Sequence, residues 1–446
     1  MKQVITYWDF ALLPVYLLII SKCMQYYRLK VLHLSKEMAT YFTWAFRVKM
    51  LFAVIFVLLT QYFFGKGDTI MYYEEGVQLN KYITENPANL KYLFAPAEDY
   101  WNYKMSKGNY EHEGYIEHEA NFMPMRIVAF FSFFTFRNFT ITTLFFSILS
   151  FLGLWKLFEA FAPLYPNIKR KLALACLFIP SVVFWSSAIL KDTLCIMCIG
   201  FLIHGIFYLM FKKFSAKEFG YLVLFGTLLL ITKYYIALAL LPAIFILWIL
   251  KIRASITNML IKQILIPLVL VLIVILVYAF TLQLESKMEE MTTDVISETI
   301  AEKRKNFEGV QDRGEGRSFF ELGEVDLSLK GLLKISPKVI NAVFFRPYFW
   351  ESSSPIMFLS VLESTIFMLF FLYTLFRAGP VGFFIALFKD KVLLFCLVFC
   401  LAFGFIVGIT TPNFGSLVRY KIPCIPFFCI LLIGINAHAL FKKAGN

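Results

Sequence analysis

The chain has 446 residues, 59% of them hydrophobic and only 16% charged, with a mean hydropathy of +0.70. Soluble domains carry about 25% charged residues, so the composition excludes a soluble globular enzyme and defines a polytopic membrane protein. The net charge of +13 does not imply nucleic acid, because the excess Lys and Arg fall in short loops between apolar runs and no nucleic-acid-binding motif occurs.

Residues 3–20 are apolar and long enough to span a bilayer. Only Lys2 precedes them and no small-residue cleavage site follows, so they do not read as a signal peptide. Residues 22–49 carry Lys22, Arg28, Lys30, Lys36, Arg47 and Lys49 against one acid, Glu37, and are expected to form a cytoplasmic loop. Residues 48–65 return, which places the N-terminus outside. A polar, net acidic region, 66–121, follows and opens on Gly67-Asp68-Thr69. Residues 122–137 are aromatic, hold Arg126 and Arg137, and fit a helix lying in the membrane interface better than a span; with the polar region they make a first outer loop, 66–138.

The next crossings are expected at 139–159, 172–187, 193–211, 218–232, 236–250 and 263–283. Between them lie a Lys191-Asp192 hairpin and a Lys233-Tyr234-Tyr235 turn on the outer side, and Lys/Arg-rich loops on the inner side. A second outer region, 284–355, combines a charged helical stretch, a Gly-rich segment (309–323) and Phe344-Phe345-Arg346-Pro347 with Trp350-Glu351 at re-entry. Crossings at 356–376, 391–409 and 422–440 close the chain on the inside. The expected fold is therefore an all-α integral membrane protein. It has about eleven transmembrane helices, outer-face juxtamembrane helices and two larger outer loops, all within one polytopic domain spanning residues 1–446.

On this topology the unusual polar residues collect at the outer boundary: Asp68, Arg126, Lys191, Asp192, Lys233, Arg346, Glu351 and Arg419. Outer boundaries carry polar residues and aromatic belts in any case. The cations Lys191, Lys233, Arg346 and Arg419 nevertheless oppose the positive-inside bias, and such a cluster suits a phosphate or pyrophosphate, for which the membrane itself offers lipid phosphates. Asp68 begins at the membrane surface, where a carboxylate can act as general base on an attacking hydroxyl; the same residue also fits a helix N-cap.

Other motifs carry less. Cys195 and Cys198 form a CxxC inside an apolar helix and read as packing residues. His112 and His118 with Glu113 and Glu119 match no ligand spacing and read as a solvated acidic loop. No phosphate-binding glycine loop, dinucleotide fingerprint or GxSxG is present.

Three short motifs resemble those of bacterial polytopic sugar-transfer proteins. Gly67-Asp68 with Tyr72, at the start of the first outer loop, resembles the acidic site of the GT-C glycosyltransferases. Pro180…Trp185-Ser186-Ser187…Lys191-Asp192 is similar to a hairpin of GT-C-like membrane proteins. Asn413-Phe414-Gly415…Arg419-Tyr420…Pro423…Pro426 resembles an arginine-bearing outer turn of polysaccharide polymerases. Here the acid follows the second expected span, where many of these enzymes carry it after the first, and its neighbour is Thr69, not a second acid.

The resemblance implies transfer of a sugar from a polyprenyl-phosphate-linked donor to a glycan or lipid acceptor at the outer face of the bacterial inner membrane. It implies Asp68 as base. It implies Lys191, Asp192, Lys233, Arg346, Glu351, Arg419, Tyr420 and Arg126 as the substrate and phosphate site. The scheme requires no cofactor and no metal ligand set, and leaves room for a divalent metal. Two other readings predict different behaviour: a polysaccharide polymerase or ligase would take an oligosaccharide-pyrophosphate lipid, and a transporter or lipid flippase would place charges at mid-membrane depth on broken spans.

Overall fold

The computed structural model describes residues 5–65, 67–111, 115–255, 329–352, 355–411 and 413–444, and its regular elements are all helices. Seven of these helices are long and apolar enough to cross a membrane, or eight if one bent pair counts as a span. The chain is thus a multi-pass α-helical membrane protein. It divides into two compact units, Met1–Ala237 and Leu238–Asn446.

In the first unit, α1 (Tyr7–Tyr26) runs into a π-helical turn, Tyr27–Val31, and α2 (Lys36–Leu59) starts on a Ser35 cap. The expected loop 22–49 is therefore largely helical, and the tight connection lies at 32–35. Lys49 moves from that loop into the middle of α2. It sits in the buried series Phe42, Ala45, Phe46, Lys49, Met50 and Ala53, whose helical period carries it inward with its neighbours.

The described residues of 67–111 and 115–138 form helices packed on one another. α3 (Asp68–Glu85) lies against α5 (Glu119–Thr135), with α4 (Ala97–Ser106) between them in sequence. The α3–α5 approach is close enough that a Cβ on Gly76 would come within 2.4 Å of Val128. Buried Lys104 of α4 reaches Glu75 of α3 at 2.7 Å and donates also to the Glu111 carbonyl. α5 buries Phe122, Met125 and Val128 and exposes Phe130, Phe133 and Phe134. That two-sidedness fits the helix at a membrane interface expected over 122–137.

α6 (Phe139–Phe161) and α9 (Lys191–Phe211) form the closest long pair. Gly153 meets Gly200 and Glu159 faces His204, so the two run parallel. Parallel neighbours need a return segment, which α7 (Lys169–Leu177) and α8 (Pro180–Trp185) supply. The expected span 172–187 is thus two short helices, because Pro180 forces Ile179 out of the helical region (ψ 122°). At the crossing, a Cβ on Gly200 would lie 1.8 Å from the Gly153 carbonyl oxygen, a backbone atom that cannot step aside. Gly200→Ala is expected to cost about 3 kcal/mol, the upper part of the range for overpacking; thermal unfolding of the purified variant in detergent checks this.

α10 (Ala216–Ser255) is two helical parts joined at a kink at Lys233 (φ −150°, ψ 80°), where a turn between two spans is expected. Its first part is antiparallel to α9, since His204 pairs with Glu218 and Asp192 with Lys233. The run continues from the first unit into the second. The span expected at 263–283 and most of the outer region 284–355 lie outside the described residues. With 172–187 split into short helices, 216–253 counted as one candidate across its kink and 263–283 outside the described residues, the eleven expected crossings become eight, or seven when the bent pair near the end of the chain is not counted.

In the second unit, α11 (Leu329–Phe345) packs on α13 (Lys391–Thr410), where Gly404 and Gly408 admit Phe344, Val339 and Val343. α12 (Pro355–Lys389) continues past the expected end at 376 and is interrupted at Gly379 (φ +68°), a left-handed helix stop, with Pro380 restarting it. α14 (Phe414–Tyr420) and α15 (Ile425–Ala444) meet at a 68° bend. A buried hydrogen bond of 2.6 Å, Asn436 to Thr374, ties α15 to α12.

Candidate functional site

Four of the expected site residues come together in the first unit, at the start of α9. Lys191 and Asp192 are its first two residues. A carboxylate there is favoured by the helix dipole, whereas a cation is not, so Lys191 is not placed for the benefit of the helix. Asp192 is fully buried and accepts a hydrogen bond from Lys233 at 2.5 Å. The non-helical backbone at Lys233 interrupts α10 at the residue that makes this contact, and the Lys233 ammonium also lies 6.0 Å from the Tyr235 ring.

Lys191 is half-buried and donates to Asn121 Oδ1 of α5 at 2.7 Å. Asn121 is in turn fixed by its own donation to the Tyr115 carbonyl. Asp68, Asp192 and Lys233 all lie within electrostatic range of the Lys191 ammonium. Asp68 is the first residue of α3 and half-buried, with Gly67 (φ +129°) as the N-cap. It therefore opens the helix without capping it, and a carboxylate in the first turn still complements the dipole. One turn on, the hydroxyl of buried Tyr72 lies 3.2 Å from that of Tyr115, beside the loop that holds Asn121.

The chain leading into Lys191 is anchored from below. Lys49 Nζ donates to the Val183 carbonyl at 3.0 Å and to Ser186 Oγ at 2.5 Å. Ser150 donates to the Ser186 carbonyl and Ser147 to Ser187 Oγ. The Trp185-Ser186-Ser187 segment is thereby held by α2 and α6. The sequence reading missed Lys49, Asn121 and the Lys104–Glu75 pair as parts of this region. Lys49 and Lys104 were detectable as cations at buried positions of a helical period (Ala97, Tyr100, Trp101, Lys104 on α4); Asn121 offered no signal.

Arg126 is not part of this cluster by any described contact. It bonds Glu119 at 2.7 Å and the Ala95 carbonyl, and stacks 4.4 Å from the Phe122 ring. Burial pushes the Glu119 carboxyl up, but the Arg126 hydrogen bond, the Ala97 N–H and the Arg126 charge outweigh it and hold the group below its usual value. A depressed pKa contributes stability that is present above the unfolded value of about 4.3 and lost as pH falls through the lower folded value. Acidification from pH 6 towards 3 is therefore expected to loosen the α4–α5 junction, read as lost hydrogen-exchange protection at Ala97; protection that persists below pH 3 would contradict it.

In the second unit Arg346 is forked onto Glu351 through Nε (3.1 Å) and Nη2, and lies 4.9 Å from the Phe414 ring. Its guanidinium is thus committed to an internal carboxylate. Arg419 is on α14 with Phe414, half-buried, 5.5 Å from the Tyr420 ring and just before the 68° bend. Arg346, Glu351, Arg419 and Tyr420 are so gathered around one short helix. Lys421, unremarked in the sequence, is buried and donates to the Val343 carbonyl at 2.9 Å.

Among the described residues no group of three or more His, Cys, Asp or Glu could hold a metal ion. His112 and Glu113 lie outside the described residues, and Glu119 is taken by Arg126. Seven of the eight cysteines are buried, as packing residues would be.

Chemically, the cluster at α9 combines an internally neutralised pair, Asp192–Lys233, with a further ammonium held by a neutral amide and a carboxylate close by. An ammonium has three N–H donors, and one described bond leaves Lys191 able to donate to an anion. A search with family models, curated proteins and solved structures finds no match to this chain.

Proposed function

We propose that the protein is a membrane glycosyltransferase of GT-C type, moving a sugar from a polyprenyl-phosphate-linked donor to a glycan or lipid acceptor on the outer face of the bacterial inner membrane. The observation that carries this reading is the Lys191 ammonium, held by neutral Asn121 with Asp68 in electrostatic range. Lys191 donates to the donor phosphate. Asp68 takes the proton of the acceptor hydroxyl as that oxygen bonds to the anomeric carbon, and the bond from that carbon to the phosphate oxygen breaks. Polyprenyl phosphate leaves with the bonding electrons, and Lys191 offsets its added charge. The Asp192–Lys233 pair keeps the start of α9 and the break in α10 together. The N-terminus lies outside and the C-terminus inside, following the basic loops.

Equilibrium binding of a polyprenyl-phosphate sugar to the purified protein tests the assignment. Lys191→Gln is expected to weaken it by one to two orders of magnitude, about the worth of a charge-assisted hydrogen bond. Unchanged affinity would remove Lys191 from the phosphate site.

A further inference from the structure

A cavity of about 270 Å³ lies between α1 and α2, at the end of the pair remote from Asp68. From Arg47 to Phe64 the α2 run covers about 25 Å. The cavity has a polar side, formed by Gln25, Arg28, Thr43 and Arg47, and an apolar side that includes Met24 and Phe46. No carboxylate lines it. Glu37, the acid in residues 22–49, accepts from Tyr41 instead. Arg28 donates to Thr43 Oγ1, while its Nε is closed off from solvent and has no hydrogen-bond partner among the described residues. Arg47 is exposed, with its guanidinium 5.4 Å from the ring of exposed Trp44. Among the described residues neither arginine is paired with a carboxylate.

Topology signals alone do not account for this geometry. The positive-inside rule needs cations in a loop; it does not need a guanidinium turned into a cavity with a donor shut off from water. Arg28 also sits in the π-helical turn Tyr27–Val31, whose extra residue changes where side chains project, and such turns concentrate at functional sites. Two arginines beside an amide, a hydroxyl and an apolar wall match the chemistry of a phosphate attached to a lipid.

We propose that Arg28 and Arg47 form a phosphate-binding site between α1 and α2, separate from the Lys191 cluster and suited to the headgroup of an anionic phospholipid. The assignment does not depend on the proposed transferase activity. Native mass spectrometry of the full chain in detergent, titrated with phosphatidylglycerol and phosphatidylcholine, tests it. Phosphatidylglycerol is expected to bind preferentially, by about five-fold per arginine. The preference is expected to fall in Arg47→Gln, a change at an exposed side chain that leaves the fold intact, and to vanish in the Arg28→Gln/Arg47→Gln protein. Millimolar inorganic phosphate that displaces phosphatidylglycerol would identify the phosphate group alone as the ligand; failure to displace it would identify the lipid. Equal binding of both lipids with no effect of phosphate, or an anionic preference that is undiminished in Arg47→Gln or persists in the double variant, would overturn the site.

Discussion

Asp192→Ala is expected to destabilise the first unit by about 3–5 kcal/mol, because it removes the carboxylate that pairs with the buried Lys233 ammonium. Asp192 is fully buried and Lys233 nearly so, and the pair joins the start of α9 to the break in α10. Lys233→Ala should cost a similar amount by removing the ammonium that donates to the buried carboxylate. Replacing both, as Asp192→Leu/Lys233→Met, removes the uncompensated charge and should recover much of the loss, since buried pairs are often matched by apolar residues of similar volume. A double-mutant cycle from denaturant or thermal unfolding in detergent measures the coupling. Single variants as stable as wild type would show that the contact contributes nothing.

Asp68→Asn is expected to lower sugar transfer by about 10²–10⁴-fold, the usual contribution of a general base, and to leave the protein folded. Asp68 opens α3 without serving as its cap, and its first-turn charge complements a helix dipole, a term of about 0.3–1 kcal/mol. Stability and activity therefore separate at this position, in contrast to Asp192, where both should fall. Asp68→Glu should retain part of the rate with the carboxylate displaced. Transfer rates and unfolding temperatures of the two variants check the split; an Asp68→Asn protein with the wild-type rate would remove Asp68 from the chemistry.

Much of the membrane architecture was legible because apolar length is a strong signal. The starts of α6, α9 and α13 fall within two residues of the expected spans. The failures have identifiable causes. Hydropathy over 172–187 is high enough for a span, but it does not register that Pro180 breaks the helix at Ile179. Residues 22–49 look like a loop by charge, yet their cations occupy helix faces, and Lys49 points into the packing between α2, α6 and α8. At the site, the sequence drew attention to Lys191 and Lys233 as cations in the wrong place for the positive-inside rule and to Asp192 beside the first of them, and the structure brings these three together with Asp68. It could not separate them from Arg126 and Arg346, whose carboxylate partners Glu119 and Glu351 become visible only through side-chain geometry. Nor could it find Asn121, an uncharged residue 70 positions from Lys191.

The most direct test of the account follows labelled polyprenyl-phosphate sugar with purified wild-type and Asp68→Asn proteins, scoring donor binding and release of polyprenyl phosphate in the same samples. Both proteins are expected to bind the donor, and only the wild type to release polyprenyl phosphate when an acceptor is supplied. Binding by neither protein, or equal release by both, would contradict it.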